Sequence, residues 1–354
     1  MSISFKNEIP YLEEQNLIEL TKSIQTPFYV YSQKTITDTF LKLKKTLKKN
    51  IYYSVKANSN QAIISLLNSL GAGADVVSQE ELQRVLTAGV APNKIIFEGV
   101  GKSKKDISYA IQNNIKQINI ESLEELYLVD SIAESLNKKT NIGLRVNPHI
   151  NANTLDKIST GRKSDKFGID FSQLQKACEI LKSLKNIKFS GISCHIGSQI
   201  SELIIYEKIF SKMKKAIEII ESNNLQIENL NLGGGLSVDY GDRENQFEIN
   251  KLSKLLEDQY PKSSYNISFE PGRYLVANSG YLITKILTTK KNGDINFLIT
   301  DAGMQTFLRP SMYNVFHRIL SFNQNEKRMI YTIAGPICES SDIFAKNIKL
   351  PIQK

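Results

Sequence analysis

Three hundred and fifty-four residues, 41% hydrophobic and 23% charged, suffice for one large α/β domain or for two domains, and exclude a disordered segment, a mini-protein and a disulfide scaffold. Forty-five bases against 36 acids leave a net charge of +9; the densest run, with Lys42, Lys44, Lys45, Lys48 and Lys49, has no interleaved aromatic residue and reads as a solvated helix face, not a nucleic-acid surface. Three cysteines without a CxxC pair fit a reducing, cytoplasmic setting, and neither a leader-like apolar run nor about 18 consecutive apolar residues point to export or a membrane.

The first 33 residues contain one strand-like run, TPFYVYS. From residue 50 onward β-rich runs alternate with helix-length patterns. The predicted strands are IYYSVKA (51–57), GADVVS (73–78), KIIFEGV (94–100), KQINIES (116–122), NIGLRVNP (141–148), KFSGISCHIGS (188–198), NLNLGGG (229–235) and YNISFEP (265–271). Helical patterns between them often close on Gly or Asn. Eight strands in such alternation predict a TIM-type (β/α)8 barrel over residues 34–271, with a doubly wound open sheet as the alternative. The polar loop 147–170 is long enough to be a lid or a substrate loop. After residue 271 the rhythm turns β-rich, which predicts a second domain of sandwich or Greek-key type from residues 1–33 and 272–354.

Active sites of such barrels sit at the C-terminal ends of the strands, and unusual residues gather there. Lys56 ends the first strand; desolvation at a barrel mouth would lower the pKa of its amine and free it to attack a carbonyl. Gly233, Gly234 and Gly235 close the seventh strand and Glu270, Pro271, Gly272 and Arg273 the eighth, together a cradle for a phosphate. His195 and Ser198 end the sixth. His149 and His317 lack metal-ligand spacing to His195, so no metal site is expected. A lysine, a phosphate cradle and a carboxylate at neighbouring strand ends are what pyridoxal 5'-phosphate (PLP) needs, because the aldehyde, the phosphate and the ring nitrogen each require one of them.

Nine ordered motifs, YSVKANSN, GADVVS, RVNP, STGRKSDKFGI, CHIGSQ, LNLGGGLSVDY, EPGRYLVANSG, DAGMQTFLRPSMY and GPICESSDIFAKNIKLP, resemble those of the fold-type III PLP enzymes, and among them the diaminopimelate decarboxylases. The resemblance implies decarboxylation of meso-2,6-diaminopimelate to L-lysine, the last step of bacterial lysine biosynthesis. It implies that Lys56 holds PLP, that His195 packs on the ring face and that Glu270 bonds the ring nitrogen. Ser198, Gly235, Gly272 and Arg273 would surround the phosphate, Arg273 also reaching substrate. Arg309, Tyr313 and Glu339 would bind substrate, Arg answering its distal carboxylate and Glu its distal ammonium. Cys338 and Glu339 are similar to a pair that enters the active site from the partner subunit of a homodimer. An isolated Cys is ordinarily a small buried hydrophobe; within this motif Cys338 reads as a proton donor, with Lys56 the other acid available.

Two departures from the family pattern stand out. Gln79 and Glu80 replace a pair of glycines and are predicted to begin a helix. The family also continues past FAKNIKLP into strands bearing a GAY-type motif, so the β-rich domain is expected to be incomplete at its C-terminus. That leaves two alternatives to full activity on diaminopimelate: a member with little or no activity, and a decarboxylase of ornithine or arginine.

Overall fold

The computed structural model describes residues 3–152, 159–240, 247–261, 264–324 and 326–353. It divides into two compact units, one running from Ile36 to Asn278 and the other joining the chain up to Thr35 with the chain from Ser279 onward.

In the larger unit the eight predicted strands are present: β1 (Asn50–Ser54), β2 (Gly73–Val76), β3 (Ile95–Phe97), β4 (Gln117–Ile120), β5 (Thr140–Asn147), β6 (Ile187–Ser193), β7 (Asn229–Asn231) and β8 (Asn266–Phe269). They pair in parallel in sequence order. Pairing of β8 with β1 (Ser268 with Asn50) and of β4 with β5 (Ile118 with Ile142) closes the ring, which rules out the open sheet. Most strand positions are buried, as in a sheet covered on both faces. A short strand, Ile169–Asp170, pairs with the end of β5.

Local chemistry starts the helices on cue. Asn60, Ser78, Ser103 and Ser122 each cap a helix that follows one of the first four strands, their side-chain oxygens accepting first-turn N–H groups. Gln79 and Glu80 do begin a helix, Gln79–Thr87. The Lys-rich helix Gln33–Leu47 buries Ile36, Phe40, Leu43 and Leu47 and turns its lysines outward.

In the smaller unit Ser4–Lys6, Ile9–Leu12 and Gln15–Asn16 form an antiparallel meander. The TPFYVYS run supplies Phe28–Tyr31, which pairs antiparallel with Gly280–Ile283. Ile286–Asn292, Ile295–Thr300, Arg328–Ala334 and Ile343–Pro351 make a four-stranded sheet around Leu298, Tyr331, Ile333 and Leu350. The strands of this unit thus fall into three separate sheets among the described residues.

Candidate active site at the barrel mouth

A cavity of about 370 Å³ opens at the C-terminal ends of the barrel strands, with Lys56, Glu98, Arg145, Phe167, His195 and Glu270 in its walls. Lys56 sits in the single turn Val55–Ala57 that follows β1, and its ammonium lies 2.9 Å from Asp75 Oδ2 on β2. Asp75 is fully buried and also accepts Ser54 Oγ at 2.5 Å. Desolvation works to lower the lysine pKa, as expected from sequence, but Asp75, with Glu270 and Glu98 behind it, outweighs that and raises it. The expected direction was wrong because the strand beside Lys56 carries a carboxylate in direct contact.

His195 follows β6. Its Nδ1 accepts the N–H of Gly234 at 3.2 Å, which puts any proton of the neutral ring on Nε2. Burial, with Arg145 and Lys56 nearby, holds its pKa well below the usual imidazole value, so the ring is neutral at neutral pH. Glu270, 5% exposed just past β8, accepts from Asn231 Nδ2. Burial and then the charges of Asp75 and Glu98 push its pKa well above the usual carboxylate range, with Lys56 and Asn231 opposing. Glu270 is thereby biased toward its protonated form at the wall of the cavity.

The glycine loops have the shape of a cradle. Gly233 and Gly235 have φ of +71° and +83°, a region that glycine enters without strain. A Cβ on Gly234 or Gly235 would collide with the carbonyl of Glu270 or Gly197, and one on Gly272 would come within 2.9 Å of Ala57 and Ser54. The N–H groups of Gly233 and Gly234 are already bonded, to Asn231 Oδ1 (2.9 Å) and His195 Nδ1, so these two glycines shape the site itself. Arg273 reaches across to Ser198 Oγ (Nε, 3.0 Å) and Tyr240 Oη (Nη1, 3.3 Å), and Ile200 donates to the Gly235 carbonyl at 2.8 Å. Ser198 and Arg273 are thus in direct contact, with Gly235 against Gly197, the neighbour of Ser198.

The loop predicted as a lid contains residues 153–158, which lie outside the described residues. Its later part lies against the mouth: Thr160 Oγ1 donates to the His195 carbonyl at 2.9 Å, and Phe167 packs under the Arg145 guanidinium at 5.0 Å. Sequence reasoning assigned no role to Asp75, Glu98, Glu121 or Arg145. Arg145 donates to Glu121 at 2.6 Å and lies 3.7 Å from Glu98; Glu121 also accepts the N–H groups of Gly99 (3.1 Å) and Gly168 (2.7 Å). The signal was a charge inside or just past an otherwise apolar strand, as in GADVV and GLRVN.

In the smaller unit Arg309 and Tyr313 share the short helix Arg309–Tyr313, with the guanidinium 5.4 Å from the ring centroid, and Arg309 Nε donates to His317 at 3.3 Å. Ser311 Oγ donates to the Ser341 carbonyl at 2.7 Å, tying this helix to the turn that carries Cys338 and Glu339. Both of those residues are exposed. Cys338 is therefore not the buried hydrophobe that an isolated cysteine usually is.

The residues fit PLP: an amine at the mouth, a flat neutral imidazole, a buried carboxyl biased toward its protonated form, and loops too tight for a Cβ next to Ser198 and Arg273. Among the described residues no cluster of three or more His, Cys, Asp or Glu is arranged to hold a metal ion, and no helix is long and apolar enough to cross a membrane. Residues 33–277 match the family described as pyridoxal-dependent decarboxylase, pyridoxal binding domain. The chain is 38% identical over 337 residues to the diaminopimelate decarboxylase of Aquifex aeolicus, which covers 95% of this chain and 80% of that protein. It superposes on the diaminopimelate decarboxylase structure from Helicobacter pylori complexed with L-lysine with a TM-score of 0.89 and 38% identity, over 96% of this chain and 86% of that one. The structure from M. jannaschii in co-complex with L-lysine gives 0.93 and 32%, over 100% and 85%.

Proposed function

The chain belongs to the diaminopimelate decarboxylase family of PLP-dependent enzymes, and from that premise we propose how its own residues turn meso-2,6-diaminopimelate into L-lysine and CO2. One observation carries the reading: Lys56, His195 and Glu270, from the ends of β1, β6 and β8, line a single cavity.

Bound PLP supplies an electron-withdrawing ring that takes up the electron pair left when CO2 departs. The protein's part is to place groups and protons. Lys56 is the amine that would hold the cofactor; Asp75 Oδ2, 2.9 Å from Nζ, pins it at the mouth as an ammonium, a pairing that would be displaced on cofactor binding, freeing the amine to act as a nucleophile. Glu270 is the carboxyl that would share a proton with the ring nitrogen, and its burial and neighbouring carboxylates favour its holding one. The neutral face of His195 packs on the ring without adding a charge that would oppose electron withdrawal. Ser198, Gly235, Gly272 and Arg273 hold the phosphate, with Gly235 left to face it because Gly233 and Gly234 have spent their N–H groups on the site's shape.

Arg309, Tyr313 and Glu339 are the substrate-binding residues of this reading, Arg309 answering the distal carboxylate and Glu339 the distal ammonium. Arg273 contributes to substrate as well as to phosphate. Cys338, exposed on its turn, is the proton donor to the carbanion alongside Lys56, and reaches the site from the partner subunit of a homodimer. Their placement in the matched motifs, and the exposure of Cys338 and Glu339, support this assignment.

The test is lysine formation from meso-diaminopimelate by the purified chain with PLP, with ornithine and arginine as competing substrates. Turnover confined to diaminopimelate is expected. A Lys56→Ala chain should lose both turnover and the visible absorbance of bound cofactor. Mixing it with a Cys338→Ala chain should restore part of the activity, since a shared dimer then contains one intact site; no recovery would count against the shared site.

A further inference from the structure

A ladder of side-chain hydrogen bonds runs through the interior of the barrel and ends at the cavity. Ser190 Oγ on β6 donates to Gln117 Oε1 on β4 at 2.7 Å, Gln117 Nε2 donates to Asn119 Oδ1 at 2.6 Å, and Asn119 Nδ2 donates to Glu98 Oε1 just past β3. All four residues are at most 4% exposed. Polar groups so buried need partners, and the ladder provides them for every rung but the last. Gly143 on β5 makes the room, since a Cβ there would collide with both Asn119 Oδ1 and Gln117 Nε2.

The ladder has a direction. Each amide donates toward Glu98, which commits Oε1 as an acceptor and leaves Oε2 as the atom free to carry a proton. Oε2 is buried and has no hydrogen-bond partner. Its nearest cation, Arg145 Nη1, stands 3.7 Å away, too far for a hydrogen bond, and is engaged at 2.6 Å by Glu121. Two other buried side-chain atoms are left in the same state among the described residues, Asp75 Oδ1 and Ser193 Oγ, but only Glu98 belongs to the cavity wall.

We propose that Glu98 is a further cofactor-contacting residue, whose Oε2 makes a direct hydrogen bond to the phenolic oxygen of PLP bound in this cavity. The inference rests on the function proposed above, which gives the aldehyde to Lys56, the ring nitrogen to Glu270 and the phosphate to Ser198, Gly235, Gly272 and Arg273. The phenolic oxygen is the one polar substituent of the cofactor that this leaves without a protein partner, and Glu98 Oε2 is the one orphaned carboxylate oxygen of the wall. A phenolic oxygen beside an electron-withdrawing ring is acidic and prefers to be an acceptor, so Glu98 must bring the proton. The groups around it decide whether it can. Burial pushes its carboxyl up to about 7; Asp75 from β2 and Glu121 from β4 act in the same direction, Arg145 from β5 and the Asn119 amide against it. Lys56 and Glu270 line the same cavity.

The test uses the full chain, freed of cofactor and reconstituted with PLP, and reads the PLP dissociation constant and the pH response of the visible band. In the wild type the band should change across neutrality as Glu98 gains or loses its proton. Glu98→Ala should weaken PLP binding about tenfold, the effect of one lost hydrogen bond to a charged partner. Glu98→Gln, which keeps the ladder and donates through its amide, should bind PLP nearly as well as the wild type while its band no longer responds near neutral pH. Unchanged affinity in Glu98→Ala overturns the inference, and so does a Glu98→Gln band that titrates like the wild type. If Glu98→Ala does not fold, the isosteric Gln variant decides alone. A wild-type chain without any Lys56-dependent band would overturn the proposed function and this inference together, whereas a Lys56-dependent band indifferent to both Glu98 changes overturns this inference only.

Discussion

Lys56 Nζ and Asp75 Oδ2 stand 2.9 Å apart at the barrel mouth, the lysine side chain 48% exposed and the carboxylate wholly buried. The pair keeps the amine protonated and pinned until a ligand displaces it. Replacing Asp75 with Asn removes the charge that raises the lysine pKa and leaves desolvation unopposed by its nearest partner. The rate at which cofactor-free protein captures PLP, followed by absorbance against pH, should then rise at a lower pH in Asp75→Asn than in the wild type. An unshifted profile would mean that the ion pair does not govern the amine.

Glu98 also ties folding stability to pH, with a sign opposite to that of most carboxylates. Its pKa is 4.5 in an ordinary setting and about 7 in the fold, so between those values the folded chain keeps a proton that the unfolded chain has released. Stability therefore falls as pH rises through this window. Urea unfolding at several pH values should show a decline that is smaller in Glu98→Gln by roughly 1–3 kcal/mol across the window. Equal slopes in the two proteins would refute it.

Gly235→Ala should damage the phosphate side of the site without touching Lys56. Its φ of +83° costs about 1–2 kcal/mol for a residue with a Cβ, and that Cβ would push into the Gly197 carbonyl beside Ser198. PLP affinity should drop by about tenfold or more, read by titration, with a lower unfolding temperature. Retention of wild-type affinity would remove Gly235 from the phosphate cradle.

Asp342 is the organiser of the turn that carries Cys338. It is 3% exposed; its Oδ1 accepts Met304 N–H at 2.6 Å, its Oδ2 accepts Ile337 N–H at 2.9 Å and its carbonyl accepts Gly335 N–H at 3.0 Å. Asp342→Ala strips two part-buried N–H groups of their acceptor and should destabilise the smaller unit by about 1 kcal/mol. Hydrogen exchange at Met304 and Ile337 should accelerate while the barrel amides stay protected; uniform acceleration would argue for a global effect instead.

What the sequence determined by itself is what local chemistry writes along a chain. The eight barrel strands, the helix beginning at Gln79, and the placing of Lys56, His195, the glycine loop and Glu270 at strand ends all follow from residue patterns a few positions long, because β-strand burial, helix initiation and glycine's backbone freedom depend on near neighbours. The family resemblance added roles to those same residues. Tertiary structure decided the closure of the ring, through the pairing of β8 with β1, and the electrostatics of the cavity. Asp75 lies 19 residues from Lys56, and Glu98 meets partners from β4 and β5. The sign of the Lys56 shift, the bias of Glu270 toward its protonated form and the free oxygen of Glu98 depend on charges brought together across strands and on burial. Coulomb and desolvation energies act through space rather than along the chain, so no reading of spacing or composition could have fixed them.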